Sequence, residues 1–388
     1  MTPAARYAAA IDVLDAIGAH APAEKALTNW ARQNRYAGSK DRAAVRDHVF
    51  EVLRKRRTCA AFGGGGNGRA LVLGLLRQQG EDPNQVFTGE GYAPLQMTSE
   101  ELSHQPSHLS ESEAHDLPDW AWMFWQSALG PSASAAAMSQ RERAKVALRI
   151  NAAKCTADEA IERLAEDDVI AVPHETVASC LLIETNPRRL AQSAAYTSGL
   201  VEIQDASSQA AVAAWPLPQG SRVLDFCAGG GGKALAMAAM HGVEVTAHDV
   251  DASRMKDIPI RAARAGASIP VFSSDDLDAA SVFDAVVCDA PCSGSGTWRR
   301  TPDAKWRLTE EDVVAYQSKQ LDVLDQAERF VTAGGVLVYA TCSVFEEENM
   351  NVVRNFTTTR SNFMIENSRL QVPSSSNDGF YYCVLKKD

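Results

Sequence analysis

Hydrophobic positions change their rhythm twice along this chain. Up to about residue 80 they recur at helical spacing, as in Tyr7, Ile11 and Leu14 or Val45, Val49 and Val52, so helices are expected throughout. "GGGG" at 63–66 reads as a turn between helices, because no strand leads into it and no Lys-Ser/Thr pair follows. The stretch 81–118, rich in Ser, Glu, Gln and His, loses the pattern and is expected to be a loosely structured acidic connection, with His104, His108 and His115 in solvated loop. "DLPDWAWMFWQSALG" then opens another helix, and "SASAAAMS" reads as a helix end or spacer. From about 145, "AKVALRIN", "VIAVPH" and "SCLLIE" are short strands around the helix "TADEAIERLAEDD", which Thr156 caps. Beyond about 200, the strands "RVLDFCA", "VEVTAHDV", "IPVFSS", "FDAVVCDA" and "GVLVYATCS" alternate with helical stretches. Near-continuous apolar strands in such an alternation predict a parallel sheet covered on both faces. The tail, ending "DGFYYCVLKK", closes it with an antiparallel pair.

Charge changes this picture only through its distribution. The net charge of −11 argues against a nucleic-acid partner until residues 81–120 are set apart, since they carry nine acids and no Lys or Arg. Residues 32–57, by contrast, hold nine basic side chains against three acids, including "RKRR" at 54–57. Further basic clusters lie at 141–149, at Arg188 and Arg189, and in "RRTPDAKWR" at 299–307. Phosphates feel such local stripes, because screening removes distant charges beyond about 8–10 Å. The N-terminus lacks the pattern of a secretory signal, and no apolar run reaches membrane-spanning length. Eight cysteines, none spaced C-x-x-C, point to reduced thiols in a cytoplasmic protein and to no zinc site.

The candidate chemistry lies at strand ends. "RVLDFCAGGGGKALAMAAM" is a strand, a glycine turn and a helix, which suits close backbone approach to a ligand. Asp249 ends the next strand, where a carboxylate can grip a ribose diol, and Asp275 follows the third, within reach of an adenine amino group. A nicotinamide oxidoreductase is the natural competitor. "AGGGGK" is not G-x-G-x-x-G, however, and Asp225 suits a cationic ligand better than a pyrophosphate. Cys292 in "DAPCSGSG" and Cys342 in "YATCS" close two neighbouring strands, whose carboxyl ends face the ligand crevice. Hydride chemistry leaves both thiols unexplained.

"LDFCAGGGGK", "DAPCSGSG" and "YATCSVFEEEN", with "EIQDASSQ", "RRTPDAKWR" and "DGFYYCVLKK", resemble the RNA 5-methylcytosine methyltransferases of the NOL1/NOP2/Sun family, from about residue 145 to the end. The N-terminal helices more loosely resemble the NusB-like RNA-binding domain of its bacterial Sun/RsmB branch. Gly230 departs from the family, which commonly has Pro there, and Ala234 gives no hydroxyl after Lys233.

The resemblance implies a Rossmann-like class I methyltransferase domain of the α/β class, with a mostly parallel seven-stranded sheet, over 201–388. A small α+β domain over 131–200 and an all-α NusB-like domain over 1–130 precede it. The implied activity is S-adenosylmethionine-dependent RNA (cytosine-5) methylation, with 16S ribosomal RNA as substrate and a monomeric, metal-free enzyme. Transfer RNA and 23S ribosomal RNA stay open as substrates, as does a non-catalytic ribosome-assembly role. A thiolate adding to cytosine C6 makes C5 nucleophilic toward the sulfonium methyl. The family gives that role to the Thr-Cys-Ser thiol, here Cys342, and product release to Cys292. Asp289 is placed to hold the cytosine edge, and Lys233 to favour the thiolate. Cofactor contacts are expected from Asp225, Cys227, Ala228, Gly229, Gly230, Gly231, Gly232, Lys233, Asp249, Asp275 and Asp289. Gln204, Asp205 and Ser208 are expected to line the approach to the sheet. RNA contacts are expected from Arg54, Arg56, Arg57, Arg299, Arg300 and Arg307, with Trp298 or Trp306 either stacking on bases or buried.

Overall fold

Apolar strands that alternate with helices must bury both faces, and the chain does so in two sheets. A computed structural model describes residues 1–18, 21–106, 108–280 and 282–388; the last two positions of the N-terminal helical reading, 19 and 20, and Ser107 within the acidic stretch lie outside them. The first sheet has the order β2-β3-β1-β4, with β1 (Ala147–Ile150), β2 (Ile170–Pro173), β3 (Cys180–Thr185) and β4 (Val201–Ile203). All its pairings are antiparallel. "EIQDASSQ" thus begins as the edge strand of this small sheet before turning into the helix Ala206–Ala214.

The second sheet holds β5 (Arg222–Asp225), β6 (Glu244–His248), β7 (Val271–Phe272), β8 (Phe283–Asp289), β9 (Val331–Thr341), β10 (Phe363–Gln371) and β11 (Phe380–Lys387). Its order is β10-β11-β9-β8-β5-β6-β7. β7, β6, β5, β8 and β9 run parallel, and β11 and β10 add the antiparallel pair. Helices cover both faces. One core includes Val223, Leu235, Met237 and Ile258; the other includes Leu224, Val286, Leu324 and Phe356. This is the expected Rossmann-like arrangement, and it brings the ends of β5, β8 and β9 side by side.

Two compact units divide the chain: Met1–Arg143 with Trp298–Thr309, and Ala144–Thr297 with Glu310–Asp388. In the first, helices follow one another through Ala133–Ser139, so "SASAAAMS" is a helix in its own right. Gly63 ends the helix Arg56–Gly63 and lets the chain return as Gly68–Gln79. A Cβ at Gly63 would sit 1.8 Å from the Ala70 carbonyl oxygen.

The stretch 81–118 corrects the expectation of a loose connection. Thr98 and Ser110 each form a capping box, opening the short helices Ser99–Ser103 and Glu111–Ala114. Arginines distant in sequence bind its acids: Arg69 meets Glu101 at 2.7 Å and Arg141 meets the fully buried Asp116 at 2.9 Å. His108 lies exposed in loop, as expected, but His104 Nε2 lies 2.8 Å from the Ala61 carbonyl and His115 stacks on Trp122.

The basic runs are corrected with it. Arg54 is 6% exposed and Arg299 1% exposed, and Arg54 Nε donates to the Arg299 carbonyl at 2.8 Å. Neither guanidinium presents a surface to a phosphate. Arg57 is taken up by Asp119, Ser112 and the Leu117 carbonyl. Arg56 lies over the Trp306 ring, whose Nε1 donates to the Leu53 carbonyl at 2.7 Å. Trp298 is buried. Arg300 and Arg307 are exposed, Arg307 beside Asp303. A run of like charge in sequence does not show which acids will fold against it.

Candidate active site at the strand ends

β5 delivers Asp225 to the head of the glycine turn, and the turn delivers backbone to a cavity. The cavity, of about 280 Å³, is lined by Gln204, Asp205, Ser208, Asp225, Cys227, Ala228, Gly229, Gly230, Gly232, Lys233, Arg254, Arg261 and Asp289. Gly231, in the left-handed region at φ +79°, precedes the helix Gly232–His241; a Cβ there would sit 2.8 Å from Ile258 Cγ1. Gly230, where the family pattern has Pro, presents its carbonyl to Arg261 Nη1. The turn is held from behind by Asp249, whose Oδ2 accepts from the Gly229 N–H at 2.9 Å and pairs with Arg254 at 3.0 Å. Asp249 is itself 3% exposed and does not line the cavity. Asp275 lies exposed in the first turn of Ser274–Asp278, also outside the lining. The cavity therefore brings together most of the expected cofactor residues, but not Gly231, Asp249 or Asp275.

Asp225 is fully buried, and among the described residues neither carboxylate oxygen makes a well-formed hydrogen bond. Burial, reinforced by the charge of Asp289, pushes its pKa up to about 7. An orphaned acid lining a cavity fits a cationic group, as S-adenosylmethionine carries at sulfur.

On the other side of β5, β8 ends in Asp289 and β9 in Thr341. Lys233 Nζ donates to Asp289 Oδ2 at 2.6 Å. Burial works against the ammonium, but the charge and hydrogen bond of Asp289 outweigh it and raise its pKa, so Lys233 stays charged. Just beyond, the Sγ atoms of Cys292 and Cys342 lie 3.3 Å apart, both partly exposed. The pair is asymmetric. A hydrogen bond from Cys292, helped by the Lys233 charge, holds the Cys342 thiol below its usual range. Cys292 is driven well above its own range, first by that same bond and then by burial. Cys342 is the natural thiolate of the two, and Cys292 its protonated neighbour.

Sequence reasoning missed what holds these two loops. Behind the thiols, the buried side chains of Ser293, Ser343, Gln320, Glu348 and Asn349 form a continuous hydrogen-bonded cluster. The signal was present: each cysteine is followed by a serine, and "EEEN" follows the second.

Comparison with known proteins agrees with this geometry. Residues 214–386 match the family described as 16S rRNA methyltransferase RsmB/F, and residues 117–188 match the ferredoxin-like domain of RsmF/B-like methyltransferases. The chain is 31% identical over 338 residues to ribosomal RNA small subunit methyltransferase B of Shigella flexneri, covering 82% of this chain and 73% of that one. In fold it is similar to the crystal structure of PH0851, at TM-score 0.76 and 23% identity over 100% of this chain and 99% of the other. It is also similar to a methyltransferase homologue from Pyrococcus horikoshii, at TM-score 0.60 and 22% identity over 72% and 100%.

Proposed function

The chain belongs to the RsmB/F methyltransferases of the NOL1/NOP2/Sun family, and from that premise we propose that it methylates C5 of a cytosine in 16S ribosomal RNA through a covalent adduct of Cys342. The observation that carries this reading is the pair of strand-end thiols 3.3 Å apart, at the strand ends that also carry the Lys233–Asp289 ion pair. S-adenosylmethionine, when bound, supplies an electrophilic methyl group on a positively charged sulfur. Asp225 would hold that charge, and Gly229, Gly230 and Gly232 would offer backbone to the rest of the molecule, with Cys227 and Ala228 beside them.

Cys342 adds as thiolate to C6 of the cytosine, and the electron pair displaced from the C5–C6 double bond makes C5 a nucleophile for the methyl group. Lys233 keeps a positive charge beside the thiolate and fixes Asp289, which orients the base edge and stabilises charge as C6 is attacked. The methyl–sulfur bond would break as the C5–methyl bond forms; C5 then gives its proton to solvent, the C–H electron pair re-forms the C5–C6 double bond, and Cys342 is expelled from C6 as a thiolate, with Cys292 assigned to assist that release. A base paired in its RNA must be flipped out first, at a cost of a few kcal/mol. The helical unit, NusB-like in sequence, is assigned to holding flanking RNA. Arg300 and Arg307 remain its candidate phosphate contacts, and Arg54 and Arg299 leave the set because they are buried.

Two experiments test this. Incubated with substrate RNA and S-adenosylmethionine, Cys292→Ala should accumulate a covalent protein–RNA adduct on denaturing gels and Cys342→Ala should form none; the reverse pattern overturns the assignment. Bisulfite sequencing of RNA from a deletion strain should show 5-methylcytosine lost from 16S ribosomal RNA, whereas loss confined to transfer RNA or 23S ribosomal RNA refutes the substrate.

A further inference from the structure

Glu348 has no exposed surface, yet it lies where two loops and a helix converge. Its Oε1 accepts from the Ser293 backbone N–H at 2.8 Å and from Gln320 Nε2 at 3.1 Å. Its Oε2 accepts from the Ser343 hydroxyl at 2.5 Å and from the Ser293 hydroxyl. Four donors fill the four lone-pair sites of one carboxylate and favour its ionised form, while burial, the larger influence, raises its pKa. Ser293 directly follows Cys292, and Ser343 directly follows Cys342. Gln320, from the helix Glu310–Ala327, also donates to the Pro291 carbonyl at 2.9 Å, on the other side of Cys292. The next residue, Asn349, continues the tie. Its Oδ1 accepts from the Thr341 hydroxyl at 2.6 Å and its Nδ2 donates to the Ser343 carbonyl at 3.0 Å, so both flanks of Cys342 are held. Tyr339 fixes the same segment by donating to the Glu348 carbonyl at 2.6 Å.

We propose that Glu348 is a positioning residue whose carboxylate ties the residue after each cysteine to one point, thereby setting the approach of the two thiols. The inference rests on the reading of Cys342 as nucleophile and Cys292 as its helper, and it adds the group that holds them together. It also carries an electrostatic consequence. When ionised, Glu348 bears on Cys292 and raises the cost of its thiolate. The other groups that act on Cys342 are Asp289, Lys233 and Thr297, and none of these is bonded to Glu348.

Site-resolved alkylation by iodoacetamide across pH, on the full-length protein without RNA, reads the thiols directly. The wild type should label Cys342 at lower pH than Cys292. In Glu348→Ala the Cys342 profile should move to higher pH, because the loops no longer hold Cys292 against it. kcat should fall about 100-fold, the scale of a misplacement near 1 Å, with S-adenosylmethionine affinity retained. Glu348→Gln keeps the shape and part of the hydrogen bonding, and should restore most of the Cys342 profile while Cys292 labels at lower pH than in the wild type. If Glu348→Ala does not fold, Ser343→Ala cuts one tie only and should move the Cys342 profile in the same direction by less. Folded variants with an unchanged Cys342 profile and unchanged kcat overturn the proposal. Failure of Cys292→Ala to trap RNA, with the alkylation shifts intact, strikes the functional reading instead.

Discussion

Lys305 is buried and Lys233 keeps 15% of its side chain exposed, and their surroundings drive them in opposite directions. Lys305 donates to two backbone carbonyls, of Arg54 at 3.0 Å and Asp116 at 2.8 Å, and burial pulls its pKa down to about 7. Lys233 donates to the carboxylate of Asp289 and its pKa rises. Carbonyl dipoles satisfy the hydrogens of an ammonium without neutralising its charge, and a carboxylate does both. One lysine is therefore a structural plug that folding drives toward its neutral form, and the other is a fixed cation beside two thiols. Burial opposes the charge of both; the partner decides the direction of the shift.

The sharpest way to break the comparison is to remove what the charged lysine serves. Cys342→Ala should lower methyl transfer by about 10⁴-fold or more in a single-turnover assay, the scale of losing a covalent nucleophile. Residual activity within about tenfold of wild type would leave Lys233 without that purpose. Lys233→Met should cost about 100- to 1000-fold in kcat and move the alkylation profile of Cys342 to higher pH. Lys305→Met should leave that profile in place and change stability instead. Because the folded pKa of Lys305 lies below the unfolded value of 10.5, the unfolded state binds more protons between those limits. The wild type should thus gain about 2 kcal/mol between pH 7 and pH 9, read from urea midpoints, and Lys305→Met should lose that slope.

The smallest effect concerns Asp225. Its raised pKa means that the free protein loses stability as pH climbs from the usual carboxylate range toward 7, while a cation bound beside it favours the ionised form. Affinity for S-adenosylmethionine, by calorimetry, should increase about tenfold from pH 6 to pH 8 in the wild type. Asp225→Asn should show no such increase.

Much of the catalytic half was legible because its signals are local. Apolar runs gave β5, β8 and β9, the glycine turn followed β5, and Cys292 and Cys342 close neighbouring strands whatever the loops do. Asp249 and Asp275 lie outside the cavity lining, since a strand-end position does not show which way a side chain turns: one braces the glycine turn while the other stays exposed. The helical unit resisted reading for a different reason. Its acidic and basic runs are separated in sequence, and only folding shows that Arg57, Arg69 and Arg141 spend their charge on Asp119, Glu101 and Asp116. Glu348 was hidden among three consecutive glutamates, of which it alone is fully enclosed.

The segment Trp298–Thr309 makes the chain pass three times between its two units, at 143–144, 297–298 and 309–310. No single cut separates them. A fragment ending at Arg143 would lack Lys305, Trp306 and Asp303, leaving the Leu53 and Arg54 carbonyls and the Ala23 amide without the groups that now satisfy them. A fragment starting at Ala144 would carry those side chains as an excursion with nothing to enter. Dissection of this protein therefore calls for a graft, in which 298–309 is joined to the helical piece and a short bridge closes the gap it leaves behind.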